Sequence, residues 1–157
     1  MRSFKLALAL LATPILVSPL LRADDAPPNL SGTWQLDGAK SPAATDQPIT
    51  LTIENSSGKI KFTRVAHTKD GKEITYRFSC QTGGNQCEFD EGGYKAKVSL
   101  WYNGPALVIL KTDGPKEDAV TQWKLELSPD KHTLDVEFTP IEPNEKPENL
   151  VFDKKGS

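Results

Sequence analysis

From Ile49 onward, apolar and polar residues alternate with a period of two. Ile49, Leu51 and Ile53 are interleaved with Thr50, Thr52 and Glu54, and Ile74, Tyr76 and Phe78 with Glu73, Thr75 and Arg77. Tyr94, Ala96, Val98, Leu100 and Tyr102 share one face against Lys95, Lys97 and Ser99. Trp123, Leu125 and Leu127 oppose Lys124 and Glu126, and Leu134, Val136 and Phe138 oppose Asp135 and Glu137. Successive side chains of a strand point to opposite faces, so this is the pattern of antiparallel strands packed on one side and wetted on the other.

The connectors predict hairpins rather than crossovers. Ser56-Ser57-Gly58, Lys69-Asp70-Gly71-Lys72, Asn103-Gly104, Asp113-Gly114 and Ser128-Pro129-Asp130 carry the glycine, asparagine and aspartate that tight turns need for positive φ. Each strand then pairs with the next. Nine or ten strands in that order form an all-β antiparallel meander, which avoids two long edges by closing into an up-and-down barrel. The runner-up is a Greek-key β-sandwich, whose long crossing only Thr139 to Asn149 could supply.

Three segments depart from the alternation. Leu107-Val108-Ile109-Leu110 is apolar on both faces and calls for cover on its outer one. Pro140-Ile141-Glu142-Pro143-Asn144-Glu145-Lys146-Pro147 is proline-rich and extended, expected to lie across a surface before Leu150-Val151-Phe152 forms a last strand, or to serve as a handle for a partner. Arg64 shares parity with Ile60 and Phe62, so it points inward unless it sits at the rim or a bulge near Val65 flips the register. An inward guanidinium needs an anionic partner, and a barrel could use it to grip a carboxylate ligand. The inward aromatics Tyr76, Phe78, Tyr94, Tyr102 and Trp123 would then be the remaining pocket candidates, with plain core as their other reading.

The first residues change the compartment. Arg2 and Lys5 precede the apolar run Leu6 to Val17, which is shorter than the roughly 20 residues of a spanning helix and is followed by Pro19. It reads as a signal peptide over residues 1–23, cut after Ala23, leaving one β-barrel domain over residues 24–157, exported to the periplasm or secreted and without a transmembrane segment. Loss of Arg2, Lys5 and Arg22 takes nineteen basic residues to sixteen against twenty-one acidic ones, a formal charge near −5. With no basic block, nucleic acid and anionic lipid surfaces are disfavoured partners.

Cys80 and Cys87 flank a glycine-containing reversal, Gln81 to Gln86, that reads as a hairpin placing them opposite each other. An oxidising compartment predicts a structural disulfide, worth about 2.5 kcal/mol by loop-closure entropy. A redox pair or a metal site is the alternative, but His67 and His132 lie far off on other strands, so no metal or cofactor is expected. No nucleophile elbow, phosphate loop or paired metal-binding histidines occur. A hydrolase or isomerase built on scattered carboxylates is the less favoured alternative to a non-enzymatic protein.

Gly32-Thr33-Trp34, near the start of the folded part, resembles the Gly-x-Trp signature of lipocalins and the wider calycin group. The run Leu30 to Leu36 with Lys40-Ser41 is similar to the opening of small exported bacterial lipocalin-like β-barrel proteins. Physically, Gly32 permits close approach of the entering chain, and Trp34 offers up to ~250 Å² of surface to plug one barrel end. Lipocalins usually pack an arginine of the last strand over this tryptophan; here the final segment offers Lys154 and Lys155. The resemblance implies a barrel binding a small lipophilic ligand, apolar or acidic-headed. A filled barrel docking to an envelope or extracellular protein is the second expectation.

Overall fold

The computed structural model describes residues 26–41, 48–91, 94–113 and 119–156. The leader lies outside these residues, as does the side chain of Tyr94. Ten strands follow one another: β1 (Gly32–Leu36), β2 (Ile49–Ser56), β3 (Lys59–His67), β4 (Glu73–Gln81), β5 (Gly83–Glu91), β6 (Tyr94–Asn103), β7 (Ala106–Asp113), β8 (Ala119–Leu127), β9 (Thr133–Glu142) and β10 (Glu148–Lys154). Among the described residues there is no helix, and so none long and apolar enough to cross a membrane.

All strands belong to one sheet in the order β4-β3-β2-β1-β10-β9-β8-β7-β6-β5, every pairing antiparallel. The first and last strands pair with each other, Trp34 opposite Lys154 and Leu36 opposite Phe152, which curls the meander into a nearly closed barrel. No long crossing of the kind a sandwich needs is present among the described residues. The turns behave as their residues dictate: Ser57 and Gly58, at φ of 50° and 75°, make a two-residue hairpin whose flanks Ser56 and Lys59 pair directly.

Closure fails at one place. β4 and β5 are consecutive, yet they form no ladder and stand as the two free edges of the sheet. The Cys80–Cys87 disulfide does form, with Cα atoms 5.8 Å apart, but it ties two unpaired strands rather than the legs of a hairpin. At the reversal, the Thr82 amide and hydroxyl both donate to the Gly58 carbonyl, at 2.8 and 3.0 Å. These bonds carry the β3–β4 pairing one step past Gln81, to the β2–β3 turn. The register of β5 on β6 also slips between Gly83 and Gln86.

The proline-rich segment does not cross a surface. Thr139 to Glu142 completes β9, with Pro140 opposite Thr121 and Glu142 opposite Val120, so Ile141 is the extra residue of a bulge. A bulge tolerates the missing proline N–H that a regular ladder would not. Of the two outer apolar residues of β7, Val108 is 5% exposed between Trp101 and Lys124 in the ladder and Leu110 is half-buried between Ser99 and Gln122, so side chains of the sheet itself shelter them.

One continuous core fills the barrel from its lower end, where β1 enters. Leu30 and Trp34 are fully buried there, and the Trp34 indole N–H donates to the Leu30 carbonyl at 3.1 Å. Residues 28–31 run across this end: the Asn55 amide donates to Ser31 Oγ at 2.9 Å, and the Tyr102 hydroxyl donates to the Pro28 carbonyl at 3.2 Å. Lys154 Nζ lies 5.4 Å from the Trp34 ring centroid, so the cation over this tryptophan is a lysine of the last strand. A Cβ at Gly32 would meet Lys154 Cε at 3.1 Å with φ at 151°, and glycine satisfies both constraints.

Candidate functional site

The upper end differs from the lower. β3 brings Arg64, β4 brings Ile74 and Tyr76, β7 brings Lys111, β8 brings Thr121 and Trp123, and β9 brings Phe138 to a recess of about 230 Å³. The ladder explains the gathering: Arg64 stands opposite Tyr76, Lys111 opposite Thr121, and Trp123 opposite both Ile109 and Phe138. The β2–β3–β4 register is unbroken through Val65, so the bulge that would have turned Arg64 outward does not occur.

Two cations share the recess with aromatic rings. The Arg64 guanidinium carbon lies 5.6 Å from the Tyr76 centroid and 5.8 Å from that of Trp123. Lys111 Nζ lies 4.7 Å from Tyr76 and 5.9 Å from Phe89, and Lys111 is only 8% exposed. Arg64 makes no ion pair among the described residues, and its Nε is buried with no hydrogen-bond partner. Ring faces partly offset the cost of drawing the Arg64 guanidinium toward the interior, but they do not satisfy its buried Nε–H.

Beneath the recess the barrel is packed. Phe62, Phe78 and Ile109, with Tyr76, Lys111 and Trp123, enclose only about 10 Å³ of free space, room for no more than a single water. Phe62 stacks on Phe78 at 5.1 Å, and Trp123 meets Phe138 edge to face at 5.1 Å. The open volume is therefore a shallow cup on an aromatic floor.

Of the residues named from sequence, Arg64, Tyr76, Phe78 and Trp123 converge at this cup, with Phe78 in its floor. Tyr102 does not join them. Its hydroxyl accepts from Asn55 Nδ2 at 3.2 Å and donates to Pro28, so it belongs to the closed lower end, where burial raises its pKa against the opposing Asn55 hydrogen bond. Sequence reasoning missed Lys111, although its parity with Leu107 and Ile109 across the apolar run of β7 announces an inward side chain. A second depression, about 530 Å³, lies along the β4–β5 seam between Glu54, Lys61, Thr63, Arg77, Ser79 and Glu88. Its inner wall is Phe78 and Phe89, whose rings sit 5.6 Å apart across the seam. Among the described residues no group of three or more histidine, cysteine or acidic side chains is placed to hold a metal ion.

No family model and no curated protein matches the sequence. Solved structures do match the fold. A secretory abundant heat soluble protein 4 from Ramazzottius varieornatus superposes with a TM-score of 0.59 at 14% identity, covering 82% of this chain and 96% of its own. The fatty-acid-binding protein from Manduca sexta gives 0.53 at 15% identity, over 80% and 99% of the two chains. Lipid binding protein 8 from Caenorhabditis elegans gives 0.55 at 11% identity, over 80% and 94%. At these identities the shared property is the calycin-type barrel.

Proposed function

We propose that this protein is an exported, non-enzymatic calycin-type carrier that binds a small apolar ligand with an acidic headgroup in the upper cup of its barrel. The observation that carries the reading is Arg64: an inward guanidinium on an unbroken strand, with a buried unsatisfied Nε and no carboxylate partner among the described residues. A buried N–H left without an acceptor is destabilising, and a ligand carboxylate would supply two acceptors matched to the guanidinium fork. Lys111 adds a second positive charge to the same cup, and Tyr76, Trp123 and Phe138 offer the apolar contact. That two of the structural neighbours are named for fatty-acid or lipid binding supports a lipophilic ligand. The disulfide supports an oxidising compartment, periplasmic or extracellular.

Arg64→Met tests the reading. Met matches the stem but removes the unsatisfied charge, so the variant should melt at or above the wild-type temperature while ligand affinity falls about ten-fold or more. Native mass spectrometry of the wild type purified from its own host should show a bound small molecule. Persistently ligand-free protein, with no tryptophan quenching across a panel of lipophilic acids, would remove the carrier reading.

The seam favours a second reading, an envelope or extracellular interaction module with a filled barrel. β4 and β5 present free strand edges beside an open depression, the arrangement that accepts an added strand from a partner. In pull-down from envelope extract, Ser79→Pro on the free edge of β4 should release the partner while Lys61→Ala, on the outer face of interior strand β3, should not; a partner kept by Ser79→Pro or lost by Lys61→Ala would remove the edge reading.

A further inference from the structure

We infer that the upper cup takes a compact aromatic carboxylate, of one or two rings, rather than a long acyl chain; this rests on the carrier reading and names the ligand class of that same site. Volume makes the first argument. The cup holds about 230 Å³, more than the ~150 Å³ cavity that accommodates a single benzene ring and less than the ~300 Å³ at which pockets for drug-sized ligands begin. Depth makes the second, because the floor of Phe62, Phe78 and Ile109 leaves about 10 Å³ below it. An acyl tail longer than the cup meets this floor among the described residues and stays in water, so its extra methylenes contribute nothing to binding.

The walls make the third argument. Tyr76, Trp123 and Phe138 surround the opening, with Trp123 and Phe138 inclined at 68° to each other, so a flat ligand meets both a ring face and a ring edge. A rigid ring also loses less conformational entropy on binding than a flexible chain does. Arg64 already lies against the faces of Tyr76 and Trp123, which places its fork beside any ring seated on them and within reach of a carboxylate borne by that ring. The Thr121 hydroxyl, on the same wall as Lys111, offers one further donor.

Isothermal titration of the full, disulfide-intact protein with two ligand series tests this: benzoate and 2-naphthoate on one side, saturated acids from butanoate to hexadecanoate on the other. The expected result is saturable 2-naphthoate binding with quenched tryptophan fluorescence, weakened about ten-fold or more in Arg64→Met, and a saturated series that stops gaining affinity by octanoate. Affinity that instead climbs about four-fold per methylene through hexadecanoate would overturn the compact-ligand inference while leaving the carrier reading intact. Octanoate binding without 2-naphthoate binding would overturn the aromatic assignment. Silence from both series would remove the carrier reading itself.

Discussion

Two residues at the lower end account for much of the barrel's order. Trp34 is fully buried, donates to Leu30 and lies beneath Lys154, so it joins the first strand, the entering segment and the last strand. Trp34→Ala should cost about 3 to 5 kcal/mol, read as a lowered denaturant midpoint; a variant melting within a degree or two of the wild type would contradict the plug. Tyr102 ties the same end through Pro28 and Asn55, and its burial raises its pKa above the ordinary value of 10.0. A raised folded-state pKa means the folded chain holds the proton more tightly than the unfolded one. This stability is fully present below pH 10 and is lost as the pH climbs through the raised value. Tyr102→Phe should therefore flatten the alkaline limb of a stability-against-pH curve, and an unchanged limb would show that Tyr102 does not contribute to it. The Gly-Thr-Trp run was readable because a plug needs a large apolar side chain beside a glycine. The lysine over it could be guessed only by position, since nothing in the chain says which cation reaches the ring.

At the scale of elements, the strands were legible and the seam was not. β2, β4, β6, β8 and β9 bury one face and wet the other, and that asymmetry writes itself into the sequence as alternation. β5, Gly-Gly-Asn-Gln-Cys-Glu-Phe-Asp-Glu, buries little and was read only as one leg of a hairpin. Its lack of a ladder to β4 is a relation between two strand edges in the closed sheet, which no local pattern records. Arg64 was legible as a question, because parity pointed it inward while its charge argued for the rim. Tyr102 was misplaced because parity specifies a face of the sheet but not a height along the barrel. Lacking a ladder, the seam relies on the Cys80–Cys87 bond and the Phe78–Phe89 contact. A Cys80→Ala/Cys87→Ala variant should lose about 2.5 kcal/mol in denaturant unfolding, and reduction of the wild type should move its midpoint by a similar amount. An unmoved midpoint would mean that the seam is held by other contacts.

The whole molecule is a barrel with two unlike ends and one open side. Its lower end and middle are packed, its upper end is a charged aromatic cup, and Arg64 in that cup keeps a buried Nε without a hydrogen-bond partner. Interior volume follows from strand tilt and stagger, which alternation does not encode, so the shallow cup could not have been read from the chain. Its shallowness separates this protein's expected ligand from a long fatty acid even on a barrel shared with fatty-acid-binding proteins. The most direct measurement is a backbone-amide NMR titration with 2-naphthoate. Saturable shifts should cluster around Arg64 on β3, Tyr76 on β4, Lys111 on β7 and Trp123 on β8, leaving Trp34 and Tyr102 at the lower end still. Absence of saturable shifts, or shifts confined to the β4–β5 seam or the lower end, would contradict a ligand site in the cup.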